Sequence, residues 1–382
     1  MQRAVICGAG VTGLALATQL GRSGWDVVVL APVDRARGGS FLVKLSGDGL
    51  DAVKRLGILS SLRSLHEPIR GCRWIDQYGR TVAYNRARSR GRREPLNVLR
   101  RDLESTLVEQ LPATVDLRSG CRVTAVRTPG SHVEVLLSSG ELLSADMLIG
   151  ADGVHSHIRD LAFGDGTLWG RALGYDRTAF VFKDAQVHAQ LDGILTTLSV
   201  PGRHVTLCPL RRSSRVATVL IHRTMAVGSS ALSAIERLRR VFGDLPWHVP
   251  EVLRYAASTD DLECEQAKHL RMPAWHLGRI ALLGEACHAF SLWPGQGTST
   301  VLAAAFLLGR EIVRTGAIEP AFEWYEQSLM GAIAQQRAVA RRASNWLLPG
   351  TRTELVLRNS ALRLAALPGV DRFVDTMLDP LV

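Results

Sequence analysis

The chain has 382 residues, of which 46% are hydrophobic and 21% are charged. This composition excludes a disordered protein and suits a globular one with about two interleaved domains. The six cysteines include no CxxC pair, which argues against a zinc site and a disulfide framework and favours the reducing cytoplasm. We therefore expect no bound metal. No signal peptide and no membrane-spanning apolar run is recognisable, so a protein that is not exported is expected.

The formal net charge of +10 is carried mainly by arginine, with a dense cluster at residues 86–93. That cluster has no interleaved aromatic residues for base stacking and belongs to no nucleic-acid fold signature. We therefore expect no nucleic acid partner. The charge is better explained as attraction for an anionic cofactor.

The N-terminal region predicts a βαβ unit. It comprises a strand at Arg3–Cys7, a helix with Leu14, Ala17 and Leu20 on its apolar face, and a strand at Asp26–Leu30. Helices around residues 50–56 and 101–111 repeat the apolar spacing and would cover a sheet.

The middle of the chain changes to short apolar runs separated by glycine and polar turns, which predicts an antiparallel sheet. The predicted strands are Thr178–Phe182, Ile194–Ser199, Val205–Leu207 and Val216–His222. A helix at Ile235–Phe242 follows, and then a strand at Arg279–Leu283 of the kind that is buried on both faces. After Val301 the pattern is almost entirely helical.

Three glycine-centred segments carry the candidate chemistry. In the first, Gly8–Gly13, the initial glycine permits a tight turn, Gly10 lets backbone N–H groups approach a pyrophosphate, and Gly13 lets the helix pack close to the strand. Because the segment lies inside a βαβ unit, it predicts a dinucleotide site. The acid that such a site carries after the second strand is replaced by Ala31, and Asp34 is the candidate substitute.

The second segment, Gly150–Arg159, follows a strand, and the third, Gly278–His288, contains one. Each places a carboxylate beside a glycine, at Asp152 and Glu285. A carboxylate can accept hydrogen bonds from a polyol chain. The third segment continues through Pro294-Gly295-Gln296-Gly297 into a helix, whose N-terminal end would stabilise negative charge on a flat ring.

In this order, the three segments resemble the GxGxxG, DG and GD motifs of the FAD-dependent aromatic hydroxylases, the group A flavoprotein monooxygenases related to para-hydroxybenzoate hydroxylase. The resemblance covers roughly residues 4–342. The segment Gly38-Gly39-Ser40, ahead of Leu42 and Lys44, is similar to the small subgroup that includes tetracycline-oxidising enzymes.

The resemblance and the predicted elements imply an α/β fold: a Rossmann-like FAD-binding domain, an interleaved substrate domain with a mixed or antiparallel sheet, and C-terminal helices. The FAD-binding domain would be discontinuous, at residues 1–65, 95–170 and 268–340. The substrate domain would comprise residues 66–94 and 171–267, and residues 341–382 would form a C-terminal helical segment.

The resemblance also implies site residues. Arg100 resembles the arginine that begins the family's RxxL helix beside the flavin, and Arg37 is a phosphate or ring contact. The full cofactor-binding set is Gly8, Gly10, Gly13, Arg37, Arg100, Asp152, Gly284, Glu285, Pro294, Gly295 and Gly297. Cys208 lies on a strand similar to the one that faces the family's substrate pocket.

Aromatic residues near the motifs could line a substrate pocket, although each could equally be core. The candidate substrate contacts are Phe180, Phe182, Cys208, Trp293 and Pro294. His288 is interpreted as a loop residue packed near the flavin rather than as a catalytic base. Glu285, where the family has aspartate, and Ala303-Ala304-Ala305, where relatives carry acidic residues, depart from the family pattern.

The resulting hypothesis is an FAD-dependent monooxygenase with NADPH or NADH as a transient co-substrate and dioxygen as the oxidant. A flavin C4a-hydroperoxide would hydroxylate or epoxidise an electron-rich, apolar aromatic or polycyclic small molecule, such as a natural product. No catalytic side chain is assigned, since the flavin carries the chemistry and Arg100 supports it. The protein is expected to be a monomer or homodimer.

Two alternatives stay open. A flavin reductase or halogenase is the first, although the WxWxIP signature of the halogenases is absent. The second is a flavoprotein of the same fold in which FAD is structural and the pocket binds or cyclises a ligand without oxygen transfer.

Overall fold

A mainly parallel sheet surrounds the N-terminal βαβ unit in the computed structural model, which describes residues 1–31, 41–86, 94–164, 169–224, 232–289 and 297–365. Within those ranges its order is β17-β18-β11-β1-β2-β7. The strands are β1 (Arg3–Cys7), β2 (Asp26–Ala31), β7 (Val115–Ser119), β11 (Met147–Gly150), β17 (His276–Leu277) and β18 (Ile280–Leu282). Only β17 is paired antiparallel, and it lies at one edge.

The helices that pack on this sheet and on one another come from distant parts of the chain. They are α1 (Val11–Arg22), α2 (Gly47–Arg55), α3 (Leu59–Ser64), α4 (Arg100–Glu109), α5 (His157–Phe163), α9 (Glu285–His288), α10 (Thr298–Thr315) and α11 (Ile318–Leu347). Helix α1 contacts both α4 and α10, and α10 also contacts α2 and α11. Leu14, Leu16 and Leu20 of α1 are fully buried in the resulting core.

A second sheet has the order β16-β12-β15-β14-β13-β4-β5 in the described part of the chain and is mainly antiparallel. Its strands are β4 (Gly71–Ile75), β5 (Thr81–Arg86), β12 (Gly170–Lys183), β13 (Leu195–Val200), β14 (Arg203–Pro209), β15 (Arg215–Arg223) and β16 (Glu263–Leu270). The helices beside it are α6 (Ala185–Leu191), α7 (Ala234–Phe242), α8 (Val249–Ala256) and α12 (Arg352–Ala365).

Two smaller sheets complete the described structure. One pairs β3 (Leu42–Leu45) with β6 (Leu96–Leu99), and the other has the order β10-β9-β8. The strands of the latter are β8 (Val123–Arg127), β9 (Val133–Leu137) and β10 (Leu142–Ala145). The interleaved α/β architecture predicted from the sequence is confirmed, whereas the proposed domain boundaries stay a prediction.

The two faces of the second sheet bury different sets of side chains. Phe180 and Phe182 pack with residues of α7 and α8, including Phe242. Because side chains alternate along a strand, the intervening Val181 points to the other face. There it joins a cluster with Leu99, Cys208 and Ala217, and the leucine belongs to β6.

No helix among the described residues is long and apolar enough to cross a membrane.

Candidate cofactor and substrate cleft

A solvent-open cleft of about 890 Å³ lies where the carboxyl ends of β1, β11 and β18 approach strands β12 and β16 of the second sheet. Ligands of open α/β sheets bind outside the carboxyl ends of the strands. The cleft is lined by Gly10, Val11, Thr12, Phe41, Arg100, Ala151, Gly153, Val154, Arg177, Glu265, Ala267, Lys268, Glu285, His288, Ala289, Gly297, Thr298 and Val301. All three glycine-centred segments therefore contribute to one cavity.

The turn from β1 into α1 depends on close backbone contacts. Gly8 has a φ of +116°, and a β-carbon there would lie 2.2 Å from the carbonyl oxygen of Ala151. Only glycine tolerates both that conformation and that approach. The turn is thereby held against the end of β11, where the second segment begins.

Two long helices begin at the cleft without a capping side chain. Helix α1 is preceded by Gly10 and α10 by Gly297, and neither N-cap residue makes a side-chain cap hydrogen bond. The first N–H groups of a helix have no partner inside the helix and carry its positive dipole end. The cleft is therefore suited to bind negative charge at two places.

The Asp152 carboxylate, expected to bind a ligand, already makes hydrogen bonds within the chain. One of its oxygens, Oδ2, accepts hydrogen bonds from the backbone N–H groups of His157 at 2.7 Å and of Ile158 at 3.0 Å. The carboxylate thus caps helix α5. Its other oxygen, Oδ1, is buried and has no partner among the described residues. A buried acceptor of this kind calls for a donor that the described chain does not supply.

Arg100 begins helix α4 and is held on several sides. Its Nε donates to Oε1 of Glu104 at 3.0 Å, and its guanidinium carbon lies 5.5 Å from the ring centre of Phe41. Burial lowers the pKa of Arg100, but the carboxylates of Glu104, Glu285 and Glu263 outweigh burial and raise the pKa above its ordinary value. Arg100 therefore stays cationic in the cleft.

The guanidinium groups of Arg100 and Arg177 both contact the ring of Phe41. Arg177 of β12 stacks on its ring at 5.9 Å from the ring centre, and the same arginine forms a salt bridge with Glu265 of β16. Cation–π contacts with arginine stabilise such stacks. The pair fixes the wall of the cleft that the second sheet provides.

Glu285 stands at the N-terminus of the short helix α9, directly after Gly284. Gly284 has a φ of +70°, and a β-carbon there would lie 2.7 Å from Oγ1 of Thr12. The third segment is thus packed tightly against helix α1. This places the Glu285 carboxylate in the cleft, on the side from which it attracts Arg100.

His288 is the last residue of α9 rather than a loop residue, and it is almost fully buried. The hydroxyl of Tyr325 lies 3.0 Å from Nε2 of His288 and 3.3 Å from the carbonyl oxygen of Leu282, within hydrogen-bond distance of both. Burial and the nearby Arg337 lower the pKa of His288 to about 3. The ring is therefore neutral at physiological pH, and its buried Nδ1 has no partner among the described residues.

The residues expected to contact the substrate do not lie together in the structure. Phe180 and Phe182 do not line the cleft, since they lie in the core beneath α7 and α8. Alternation along β12 explains this difference from the expectation, because the cleft-facing set of that strand includes Arg177 instead. Cys208 lies on the face that meets β6. Arg37, Trp293, Pro294 and Gly295 lie outside the described residues.

The cleft residues that the sequence-based set lacks include Phe41, Arg177, Glu265 and Lys268. Arg177 and Glu265 are 88 positions apart and meet only through the pairing of β12 with β16. A single sequence carries no signal for such a pair.

Comparison with known proteins agrees with this geometry. The family described as FAD binding domain matches residues 1–316. A flavin-dependent monooxygenase, eupH of Phoma sp, is 30% identical over 339 residues, which cover 81% of this chain and 77% of the relative.

Solved structures show the same fold. The crystal structure of tetracycline destructase Tet(51) has a TM-score of 0.81 at 21% identity and covers 96% of each chain. HpxO of Klebsiella pneumoniae, crystallised with FAD and uric acid, has a TM-score of 0.79 at 22% identity and covers 99% of this chain and 96% of that one.

Proposed function

The chain belongs to the FAD-binding family of flavin-dependent monooxygenases, and we propose that it uses NADPH or NADH and dioxygen to oxygenate an electron-rich, largely apolar small molecule. The observation that carries this proposal is the pair of uncapped helices, α1 and α10, that begin at one cleft. FAD, when bound there, supplies the redox and oxygen chemistry.

The residues present fit FAD. The N–H groups after Gly10 would bind its pyrophosphate, as in other dinucleotide folds. Glu285 would accept hydrogen bonds from the ribityl hydroxyls, and the start of α10 at Gly297 would stabilise negative charge on the reduced ring. Arg100, held cationic by its glutamate neighbours, would act in the same direction.

The substrate would occupy the side of the cleft formed by the second sheet. Apolar side chains line the cavity there and beside it, including Val154, Ala267, Ala289 and Val301. They would bury an aromatic or polycyclic ring system and exclude water, which favours oxygen transfer over release of peroxide. Two proteins of the same fold, a tetracycline destructase and HpxO in complex with uric acid, support cyclic, electron-rich compounds as the substrate class to test.

The test is NADPH consumption by FAD-loaded protein with a panel of phenolic and polycyclic compounds. We expect slow consumption with release of hydrogen peroxide when no substrate is present. A true substrate should accelerate consumption and reduce the peroxide yield. If no compound changes either quantity and FAD stays oxidised with both nicotinamide donors, a flavoprotein with structural FAD is the better account.

A further inference from the structure

A second cleft of about 660 Å³ adjoins the first along strand β16, on the side of helix α11. Arg171, His269 and Arg341 contribute to its lining, which contains no carboxylate. Arg171 and His269 are direct partners in the antiparallel pairing of β12 with β16. Their side chains therefore project from the same face of the sheet.

Helix α11 supplies the third basic side chain of the second cleft and also contacts the third glycine-centred segment, beside the first cleft. Arg337 donates to the carbonyl oxygen of Cys287, in the glycine-centred segment beside the first cleft. Arg341 follows one helical turn later and lines the second cleft together with Ser344. Residues at this spacing share one face of a helix. The face of α11 that holds the third segment thus extends directly into the second cleft.

The arginines of the two clefts differ in their pairing with carboxylates. In the first cleft, Arg177 is neutralised by Glu265 and Arg100 by Glu104. In the second cleft, neither Arg171 nor Arg341 forms a salt bridge with any residue that the structure describes. The two arginines of the second cleft therefore carry positive charge that no described carboxylate pairs, and such charge attracts anions.

The spacing of the clefts fits a ligand that reaches from one to the other. Glu265 lines the first cleft and His269 the second, and both are on β16. Four residues of a strand span about 13 Å. An extended dinucleotide can cover this distance, with its phosphates in the second cleft and its nicotinamide in the first.

We propose that Arg171, His269 and Arg341 bind the phosphate groups of the nicotinamide donor and select NADPH over NADH. This inference rests on the proposed function, because it assigns a site to the donor which that function requires. Guanidinium groups bind phosphate through paired, charge-assisted hydrogen bonds, and the 2′-phosphate of NADPH supplies three further acceptor oxygens.

The experiment is calorimetric titration of the FAD-loaded protein with adenosine 2′,5′-bisphosphate, which tests binding without turnover. Arg171→Gln and Arg341→Gln should each raise the dissociation constant about tenfold or more, since each removes a charge-assisted contact. Arg240→Gln, at an exposed arginine of α7 outside both clefts, is the matched control and should bind like the wild type. Melting temperatures should agree among all four proteins.

Kinetics separates this inference from the proposed function. We expect both cleft variants to raise the KM for NADPH with little change in kcat, and to reduce the preference over NADH. Wild-type affinity in both variants, or equally strong displacement by inorganic phosphate, would overturn the assigned site even if NADPH reduces the flavin. Arginine-dependent binding without flavin reduction by either donor would keep the phosphate site and reject the proposed function.

Discussion

Gly13 and Gly8 lie so close that a β-carbon at position 13 would be 1.9 Å from the carbonyl oxygen of Gly8. Helix α1 can approach the turn after β1 only because Gly13 lacks a side chain. The position of the uncapped helix end in the cleft follows from this contact.

Gly13→Ala should therefore destabilise the protein and reduce FAD content, because the added methyl group pushes α1 away from the β1 turn. Overpacking of this kind costs about 1–3 kcal/mol. Melting temperature and the ratio of bound flavin to protein are the measurements. Gly331→Ala is the control, since a β-carbon there meets nothing within 4 Å and position 331 lies inside helix α11. Equal flavin content in both variants would contradict the assignment.

Arg100→Gln should impair flavin reduction more than folding. Loss of the cation lowers the flavin reduction potential and slows reduction by NADPH about tenfold, which corresponds to about 1.4 kcal/mol in the barrier. The free energy of unfolding should change little. The side chains of Glu104 and Glu263 are 19% and 23% exposed, so their carboxylates stay in contact with water. Arg100→Lys retains the charge and should restore part of the rate. If the flavin reduction potential is unchanged in Arg100→Gln, Arg100 does not contact the flavin.

The neutral His288 predicts a dependence of stability on pH. Its pKa is 6.5 in an unfolded chain and about 3 in the folded protein. Between these values the unfolded state binds a proton that the folded state does not. The free energy of unfolding therefore falls as the pH falls below about 6.5, by at most about 1.4 kcal/mol per pH unit.

His288→Gln should make this loss less steep, since glutamine can still hydrogen-bond Tyr325 and does not titrate. Urea unfolding at neutral pH and at about pH 5 measures the difference. His204, whose pKa is also lowered by burial, is present in both proteins and cancels in the comparison. Parallel pH profiles would show that His288 is accessible to protons in the folded state.

Ala31→Glu should tighten FAD binding. Ala31 is the last residue of β2, where dinucleotide folds place an acid for the ribose. A charge-assisted hydrogen bond there corresponds to an affinity gain of about ten- to a hundredfold. Ala31→Gln, which lacks the charge, should give a smaller gain. A dissociation constant unchanged by either substitution would indicate that another group already binds the ribose.

The central strands of the parallel sheet were predictable because they are continuous apolar runs next to glycine turns. Strand β1 has the predicted bounds, and β2 is one residue longer than predicted. Strand β16 was not predictable, because an edge strand with the sequence ECEQAKHL is half exposed and lacks an apolar signal. Because β16 was not predicted, its partner β12 was predicted too short.

The glycine framework of the cleft followed from local sequence, since the spacing of Gly8, Gly10 and Gly13 inside a βαβ unit is itself a recognisable pattern. The wall formed by the second sheet did not. Both faces of that sheet are buried, so alternation alone could not tell whether Phe180 or Val181 lies on the face that carries Arg177. The stack of Phe41 with two arginines depends on three distant segments and has no local signature.

Transfer of oxygen from dioxygen to a substrate is the central claim, and mass spectrometry of the product formed under isotopically labelled dioxygen tests it most directly. The FAD-loaded protein, NADPH and a compound that accelerates NADPH consumption are the only reactants required. The account predicts one labelled oxygen atom per product molecule and one NADPH consumed per product. Product that carries no label, or that forms at the same rate without NADPH, would contradict it.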